Sequence, residues 1–380
     1  MSVDLDKGTK SMKINCTADE LSKGVQTIQA ALSSRTTLPI LLNFLMETEK
    51  SKVKLVSTDL QMGVKHYIKA EIETEGSVTI PAKKFFDILH TLPADQDVRL
   101  TMDEESKVVV KCGRSRFVIN GSPKSEYPVL PEFSKTAAFT VPSAELADMV
   151  RRTIFAASSD ETRYVLNGVF WAASNGVLEL VATDGRRLAL VRRPVVGKDK
   201  EFRAIIPTKI LGELQRLLSQ DEGAGAEVQV SVTENQVAFQ TADTTMLSRL
   251  VEGSFPNYEQ VVPVKKDVSL VFDTKALLTI TKQAALCGID RGGSVKFSLR
   301  KGALHVSASS QTLSFDDEIP VDYKGAEITI AFNPQFVMEG LKAMGTDKVR
   351  MSLTTAVNPA LFEPEGGVEG YKYVVMPMRA

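Results

Sequence analysis

The side chains best suited to nucleophilic, redox or metal chemistry in this chain are three cysteines, Cys16, Cys112 and Cys287, and three histidines, His66, His90 and His305. They are scattered. No Cys-x-x-Cys spacing occurs, so neither a structural zinc site nor a disulfide framework is predicted, and the odd cysteine count fits reduced, buried thiols. The histidines have no neighbouring Ser, Cys or carboxylate in a triad-like pattern. No Gly-rich loop leads into a Lys-Ser/Thr phosphate cradle. The acidic runs Asp103-Glu104-Glu105 and Asp316-Asp317-Glu318 read as solvated turns rather than metal ligands. No cofactor, metal or catalytic centre is expected.

The composition narrows the remaining classes. Forty-six Lys+Arg against 47 Asp+Glu give a net charge of −1, which speaks against a basic nucleic-acid coat. Hydrophobic content of 43% and charged content of 24% are those of a globular protein. There is no long apolar run for a membrane span and no apolar signal core at the start. The expected location is the cytoplasm. Residues 1–11 read as a disordered leader.

The elements that hold these side chains repeat at about 125 residues. An apolar strand, then Pro or Asn, then an amphipathic helix occurs at Val78–Leu89, Ala204–Leu214 and Ile328–Glu339, with Pro81, Pro207 and Asn333 in one register. Those residue types suit a helix start, where the first N–H groups lack partners. Lys54–Asp59 matches Glu179–Asp184 at a shift of 125, and His305–Ser309 follows at a further 125 without the Thr-Asp pair. Helices are predicted at Thr17–Leu32, Pro142–Ser158 and Asp273–Cys287. The chain therefore divides into units at 12–135, 136–262 and 263–380, each α+β with antiparallel strands and two helices.

Three such units, ending in Tyr373-Val374-Val375-Met376-Pro377-Met378-Arg379, resemble the bacterial sliding clamp family, the beta subunit of DNA polymerase III. Arg163–Gly168, Ala182–Ala189, Thr37–Leu41 and Gly113–Phe117 carry the resemblance in the first two units, and it covers the chain from Met12 onward. It implies a DNA clamp fold: three tandem domains with sheets outside and two helices per domain lining a bore, closed as a head-to-tail homodimeric ring. Twelve helices at ~8–10 Å spacing leave a bore of ~20–28 Å, wide enough for duplex DNA. The implied function is a processivity factor in DNA replication. It slides on double-stranded DNA without reading sequence and tethers the replicative polymerase, the clamp loader and other clamp-motif proteins.

The resemblance places a partner-peptide pocket at Leu166, Thr183, Gly185, Arg186, Arg187, Leu188, Pro256, Val261, Val374, Met376, Pro377, Met378 and Arg379, with Arg187 and Arg379 holding peptide polar groups at the rim. DNA contacts are expected at Arg35, Lys83, Arg152 and Lys209. The dimer seam is expected at Lys84, Arg114, Arg116, Phe117, Ala285 and Leu286, with the basic residues facing Asp316-Asp317-Glu318. Arg186 stands where a histidine is common in the family, and Gln260 where an arginine can contribute. Across the predicted helices, ten basic residues face eight acidic ones, so a basic inner wall has to be assumed. Two rivals stay open at this point: an α+β enzyme with a cleft between units, and a monomeric repeat scaffold that only binds peptides.

Overall fold

The computed structural model describes residues 11–33, 36–135, 138–195, 201–220, 225–287, 293–366 and 370–378. The expected leader, apart from Ser11, lies outside these residues, as do Arg35 and Arg379. The first repeat runs β1 (Met12–Thr17), α1 (Ala18–Ile28), β2 (Asn43–Glu49), β3 (Lys52–Thr58), β4 (Met62–Lys69), β5 (Glu71–Thr74), β6 (Ser77–Pro81), α2 (Ala82–Leu89), β7 (Asp97–Met102), β8 (Lys107–Cys112) and β9 (Ser115–Asn120). The second runs β10 (Ala138–Pro142), α3 (Ser143–Thr153), β11 (Gly168–Ser174), β12 (Val177–Thr183), β13 (Arg187–Pro194), β14 (Phe202–Pro207), α4 (Thr208–Gln220), β15 (Glu227–Val232), β16 (Gln236–Gln240) and β17 (Thr244–Arg249). The third runs β18 (Val268–Asp273), α5 (Thr274–Ala285), β19 (Val295–Arg300), β20 (Ala303–Ser309), β21 (Ser314–Pro320), β22 (Ile328–Phe332), α6 (Pro334–Met344), β23 (Lys348–Leu353), β24 (Ala360–Glu365) and β25 (Tyr371–Val375). Among the described residues each repeat thus has two α-helices, each entered from a strand.

Local chemistry sets those helix starts. Thr17 accepts a bond from Glu20 N at 3.2 Å and opens α1. Asp273 accepts from Ala276 N at 2.8 Å and opens α5. Asn333 accepts from Gln335 N at 2.9 Å, with Pro334 as the first residue of α6, and Gly345 at φ +67° closes that helix. Leu21, Val25 and Ile28 give α1 one buried face. Burying each side chain contributes about 1.5–3 kcal/mol, and Leu21→Ala would cost about 2–5 kcal/mol.

The strands do not close into one sheet per repeat. The chain packs as two compact units, one made of Met1–Pro142 and Arg216–Arg249, the other of Ser143–Gln215 and Leu250–Ala380. The first holds a five-stranded sheet, β5-β1-β7-β8-β9, and an eight-stranded sheet, β10-β15-β16-β17-β4-β3-β2-β6. The second holds an eight-stranded sheet, β14-β11-β12-β13-β25-β24-β23-β18, and a four-stranded sheet, β21-β20-β19-β22. Each large sheet is two repeats' half-sheets joined edge to edge, through β17·β4 in the first unit and β13·β25 in the second, both antiparallel. Joining edges this way satisfies backbone groups that would otherwise be open to unwanted pairing. Among the described residues, no helix is long and apolar enough to cross a membrane.

Candidate functional site

The turn between β12 and β13 is built by its own polar side chains. Thr183 Oγ1 accepts from Gly185 N at 3.0 Å and donates to Arg187 O at 2.6 Å. Asp184 Oδ1 accepts from Arg186 N at 2.8 Å and Arg187 N at 3.1 Å. The chain turns through Gly185 at φ +86°, a conformation that side chains with a Cβ resist. Arg163 donates to Asp184 O at 2.9 Å and holds the turn from outside. The C-terminal strand is tied to the same turn, since Met376 N donates to Arg186 O at 2.9 Å. Met378 N then donates to Ala331 O at 2.7 Å.

An apolar floor lies beside this turn. Leu188 and Val374 sit opposite each other across β13·β25, in a buried cluster with Val181, Leu190 and Leu361. Val261, Val262, Phe170, Phe255 and Tyr258 pack on it and keep part of their surface in solvent. Phe170 and Phe255 stack with ring centroids 5.1 Å apart. Met376, Pro377 and Met378 are half-buried, whereas Gly185, Arg186, Pro256 and Gln260 are exposed. Leu166 is buried. The structure thus gathers Leu188, Val261 and Val374 in one cluster, and Thr183, Gly185, Arg186, Arg187 and Met376 at one turn. Sequence reasoning missed Phe170, Phe255, Tyr258 and Leu361. Phe255 and Tyr258 had a signal, as large apolar residues in the otherwise polar stretch Glu252–Gln260.

Three expected roles change. The Arg187 guanidinium does not stand free at a rim. Only 10% of the side chain is exposed. It donates to Asp184 Oδ2 at 3.0 Å, to Phe155 O at 2.7 Å and to Glu339 of α6, and its guanidinium lies 4.5 Å from the Phe336 ring centroid. Arg187 therefore braces the turn against α6. Arg152, expected at DNA, is buried and bonded within the chain. It is 3% exposed and pairs with Asp148 at 2.6 Å, and its guanidinium donates to the carbonyls of Ala343 and Met344 at 2.8 and 2.7 Å, capping the end of α6. Ala285, expected at the seam, is buried at 2% exposure, whereas Leu286 beside it is 74% exposed.

The other expected residues lie at the surface. Lys83 and Lys209 are the second residues of α2 and α4, both exposed, in the same repeat register. Lys84, Arg114 and Arg116 are exposed, and Phe117 is half-buried on β9. All three cysteines are buried and free. Burial, followed by Glu20 and Asp97, pushes the Cys16 thiol up to about 12, far from a nucleophile at neutral pH. Among the described residues, no cluster of three His, Cys, Asp or Glu could hold a metal ion.

Comparison with known proteins agrees with this architecture across its whole length. Residues 12–131, 140–257 and 259–379 match the models for the N-terminal, central and C-terminal domains of the DNA polymerase III beta subunit. The chain is 33% identical to the beta sliding clamp of Pseudomonas putida over 365 residues, 95% of this chain and 98% of that one. It is 32% identical to that of Escherichia coli K12 over 370 residues, 97% and 100% of the two. The solved sliding clamp of Bacillus subtilis superposes with a TM-score of 0.92 at 28% identity, covering 97% of this chain and 99% of that one. The Pseudomonas aeruginosa clamp bound to griselimycin gives 0.91 at 30%, covering 97% and 100%. The chain, three tandem clamp domains long, belongs to the family of the DNA polymerase III beta subunit, the bacterial sliding clamp.

Proposed function

We propose that this member of a non-catalytic processivity-factor family encircles duplex DNA as a head-to-tail ring of two chains, and tethers the replicative polymerase, the clamp loader and other clamp-motif proteins by short peptides docked beside the Thr183–Arg187 turn. It works in the cytoplasm, at the nucleoid. The observation that supports the ring best is the pattern of sheet edges. In repeat register, β4, β13 and β21 are equivalent strands, and so are β17, β25 and β9. Two junctions of this kind, β4·β17 and β13·β25, form within the chain. The third pair, β21 and β9, lies at sheet ends, with no further partner among the described residues. Pairing β21 of one chain with β9 of the other completes the series twice and closes a ring.

The side chains suit that junction. The register of the two internal junctions, carried over, would set Phe117 opposite Phe315 and Arg116 opposite Asp316. Arg114 and Arg116 then face Asp316, Asp317 and Glu318, with Lys84 nearby. Phe117 and the exposed Leu286 supply the apolar contact that a stable interface needs. Inside the ring Lys83, Lys209 and Arg35 meet phosphates weakly, without reading bases, which leaves the ring free to slide. Partner peptides bury apolar side chains over Leu166, Leu188, Pro256, Val261, Val374, Met376, Pro377 and Met378, where methionine adapts to several ligands. Gly185 lets a peptide backbone approach closely, Thr183 and Arg186 belong to the turn that receives it, and Arg379 is assigned to the peptide's polar groups. Binding is expected at micromolar strength, about −8 kcal/mol.

Two measurements test the reading. After loading by the ATP-driven loader, the protein should remain on nicked circular DNA and be lost once the circle is cut. Equal loss from both would refute encirclement. Phe117→Ala with Leu286→Ala should shift sedimentation from dimer toward monomer, and an unchanged dimer would refute the seam. At the docking site, Met376→Ala should weaken a labelled partner peptide severalfold, and unchanged affinity would mean the pocket is elsewhere.

A further inference from the structure

Sulfur is unevenly distributed over this protein. The chain has 12 methionines and 3 cysteines. All three cysteines are buried and free, and so are nine of the methionines buried, with no residue of either group more than 8% exposed. Met1 lies outside the described residues. The two methionines that remain, Met376 and Met378, keep part of their surface in solvent. Among the described residues, every accessible sulfur therefore belongs to the strand end beside the Thr183–Arg187 turn.

Access decides which sulfur an oxidant reaches. A thiol reacts as its thiolate, and the Cys16 thiol, pushed up to about 12 chiefly by burial, holds almost none at neutral pH. A thioether has no proton to lose, so its exposure governs the reaction. The backbone at both methionines is pinned: Met376 N donates to Arg186 O at 2.9 Å and Met378 N to Ala331 O at 2.7 Å, with Pro377 between them. A sulfoxide there would find few donors. Gly185 N is taken by Thr183 Oγ1, and Arg186 N and Arg187 N by Asp184 Oδ1. The Arg187 guanidinium is taken by Asp184, Glu339 and Phe155 O. A peptide covering the sulfoxide would strip its water and leave the oxygen without a backbone donor from the turn, a cost that an apolar thioether does not carry.

We propose that Met376 and Met378 form a paired oxidation site that switches peptide docking off. The inference rests on the docking reading of the Thr183–Arg187 site. The oxidant is hydrogen peroxide. Its O–O bond breaks, one oxygen bonds to the thioether sulfur through a sulfur lone pair, and the other leaves as water, so the sulfur gives up the two electrons that the peroxide gains. Sulfoxide reduction restores the thioether, which makes the switch reversible. The seam residues Arg114, Arg116, Phe117 and Leu286 carry no sulfur, so partners leave while the ring stays closed.

The test exposes the intact protein to hydrogen peroxide and takes two readings: tryptic fragments by mass spectrometry, and anisotropy of a fluorescent clamp-motif peptide from the replicative polymerase. Trypsin cuts after Lys372 and Arg379, so the fragment Tyr373–Arg379 holds both methionines and no other. It should gain oxygen before any fragment holding the methionines from Met12 to Met351, and affinity should fall about tenfold or more in step with it. The two methionine sulfoxide reductases, one per epimer, should restore binding. Met376→Leu/Met378→Leu, checked for cooperative unfolding, should show no loss on peroxide treatment, whatever its starting affinity. Oxidation spread evenly over the buried methionines, or the same loss of affinity in the leucine variant, would overturn the proposal. Binding that survives full oxidation of Tyr373–Arg379 would overturn the switch and leave the docking reading standing. An untreated wild type that binds no peptide would refute the docking reading and the switch with it.

Discussion

Replacing Arg152 with alanine separates two readings of one residue. By sequence it is a basic residue on a helix expected near DNA. In the structure its guanidinium binds two carbonyls at the end of α6 at 2.8 and 2.7 Å and pairs with Asp148 at 2.6 Å, with 3% of the residue exposed. Hydrogen bonds to a charged group contribute about 1.5–3 kcal/mol each, so the two to α6 give about 3–6 kcal/mol. Breaking a buried ion pair by removing one partner costs about 3–5 kcal/mol, an overlapping range for the same loss. At 2–4 °C per kcal/mol for a domain of this size, Arg152→Ala should lower Tm by about 6–20 °C. Arg152→Lys, which keeps the charge but not the fork, should fall between. Acid should erode the difference. Burial pushes the Asp148 carboxyl up, but hydrogen bonds from Arg152 and Arg151 outweigh it and hold the group below 3.8. A carboxyl with a lowered folded pKa contributes stability above its unfolded value and loses it as pH falls through the folded one. The assay is calorimetric unfolding alongside DNA binding by anisotropy at several salt concentrations. A phosphate contact would instead leave Tm nearly unchanged and reduce the slope of log K against log salt by about 0.9. That result would refute the bracing role.

Leu60→Gly should raise Tm by up to about 6 °C. It relieves a left-handed leucine costing about 1–2 kcal/mol, against about 0.5–1 kcal/mol for the added freedom of glycine, and a lower Tm would mean the exposed leucine makes a contact worth more. His66 Nδ1 meets Thr244 Oγ1 at 2.9 Å across β4·β17, and burial holds its pKa below 6.5, reinforced by Lys52 and opposed by Asp243 and Glu20. The unfolded chain takes up this proton first as pH drops below 6.5, so urea midpoints should fall from there toward the folded pKa and stay flat above, and His66→Gln should flatten that step. Arg187→Met should cost about 2–4 kcal/mol in urea unfolding through loss of the Asp184 and Glu339 bonds, with the paired Glu339→Gln showing strong coupling in a double-mutant cycle.

The repeat was legible because local rules wrote it. Pro81, Pro207 and Asn333 mark helix starts wherever a strand feeds a helix, and Thr-Asp at 58–59 and 183–184 marks a turn closed by its own side chains. What pairs with what across a junction was not legible. The β17·β4 edge joins residues about 180 positions apart, and no short-range pattern encodes that choice. The burial of Arg152 was hidden for the same reason. An arginine four residues after Asp148 looks like a solvated helix pair until the end of α6, some 190 residues on, covers it.

The same geometry resolves the charge problem that composition raised. Ten basic against eight acidic residues on the helices gave no visible inner wall. Six of those acids are committed to structure: Asp19 to Lys23, Glu20 to Lys69 N, Glu145 to Arg193, Asp148 to Arg151 and Arg152, Asp273 to the cap of α5, and Glu339 to Arg187. Lys23, Arg151 and Arg152 leave the basic count with them. Lys83, Lys84, Lys275, Lys282 and Lys342 are exposed and make no ion pair among the described residues. Lys275 and Lys342 therefore stand near acids that are already engaged, Asp273 and Glu339, whereas Lys83 and Lys84 share α2 with Asp87. Lysine is a hydrated point charge on a flexible stem, without the planar fork that locks a phosphate. Under the proposed ring, lysine contacts of this kind would retain DNA loosely, holding it for long would fall to closure of the ring, and the salt dependence of retention should be shallow on a circle and steep on a linear duplex.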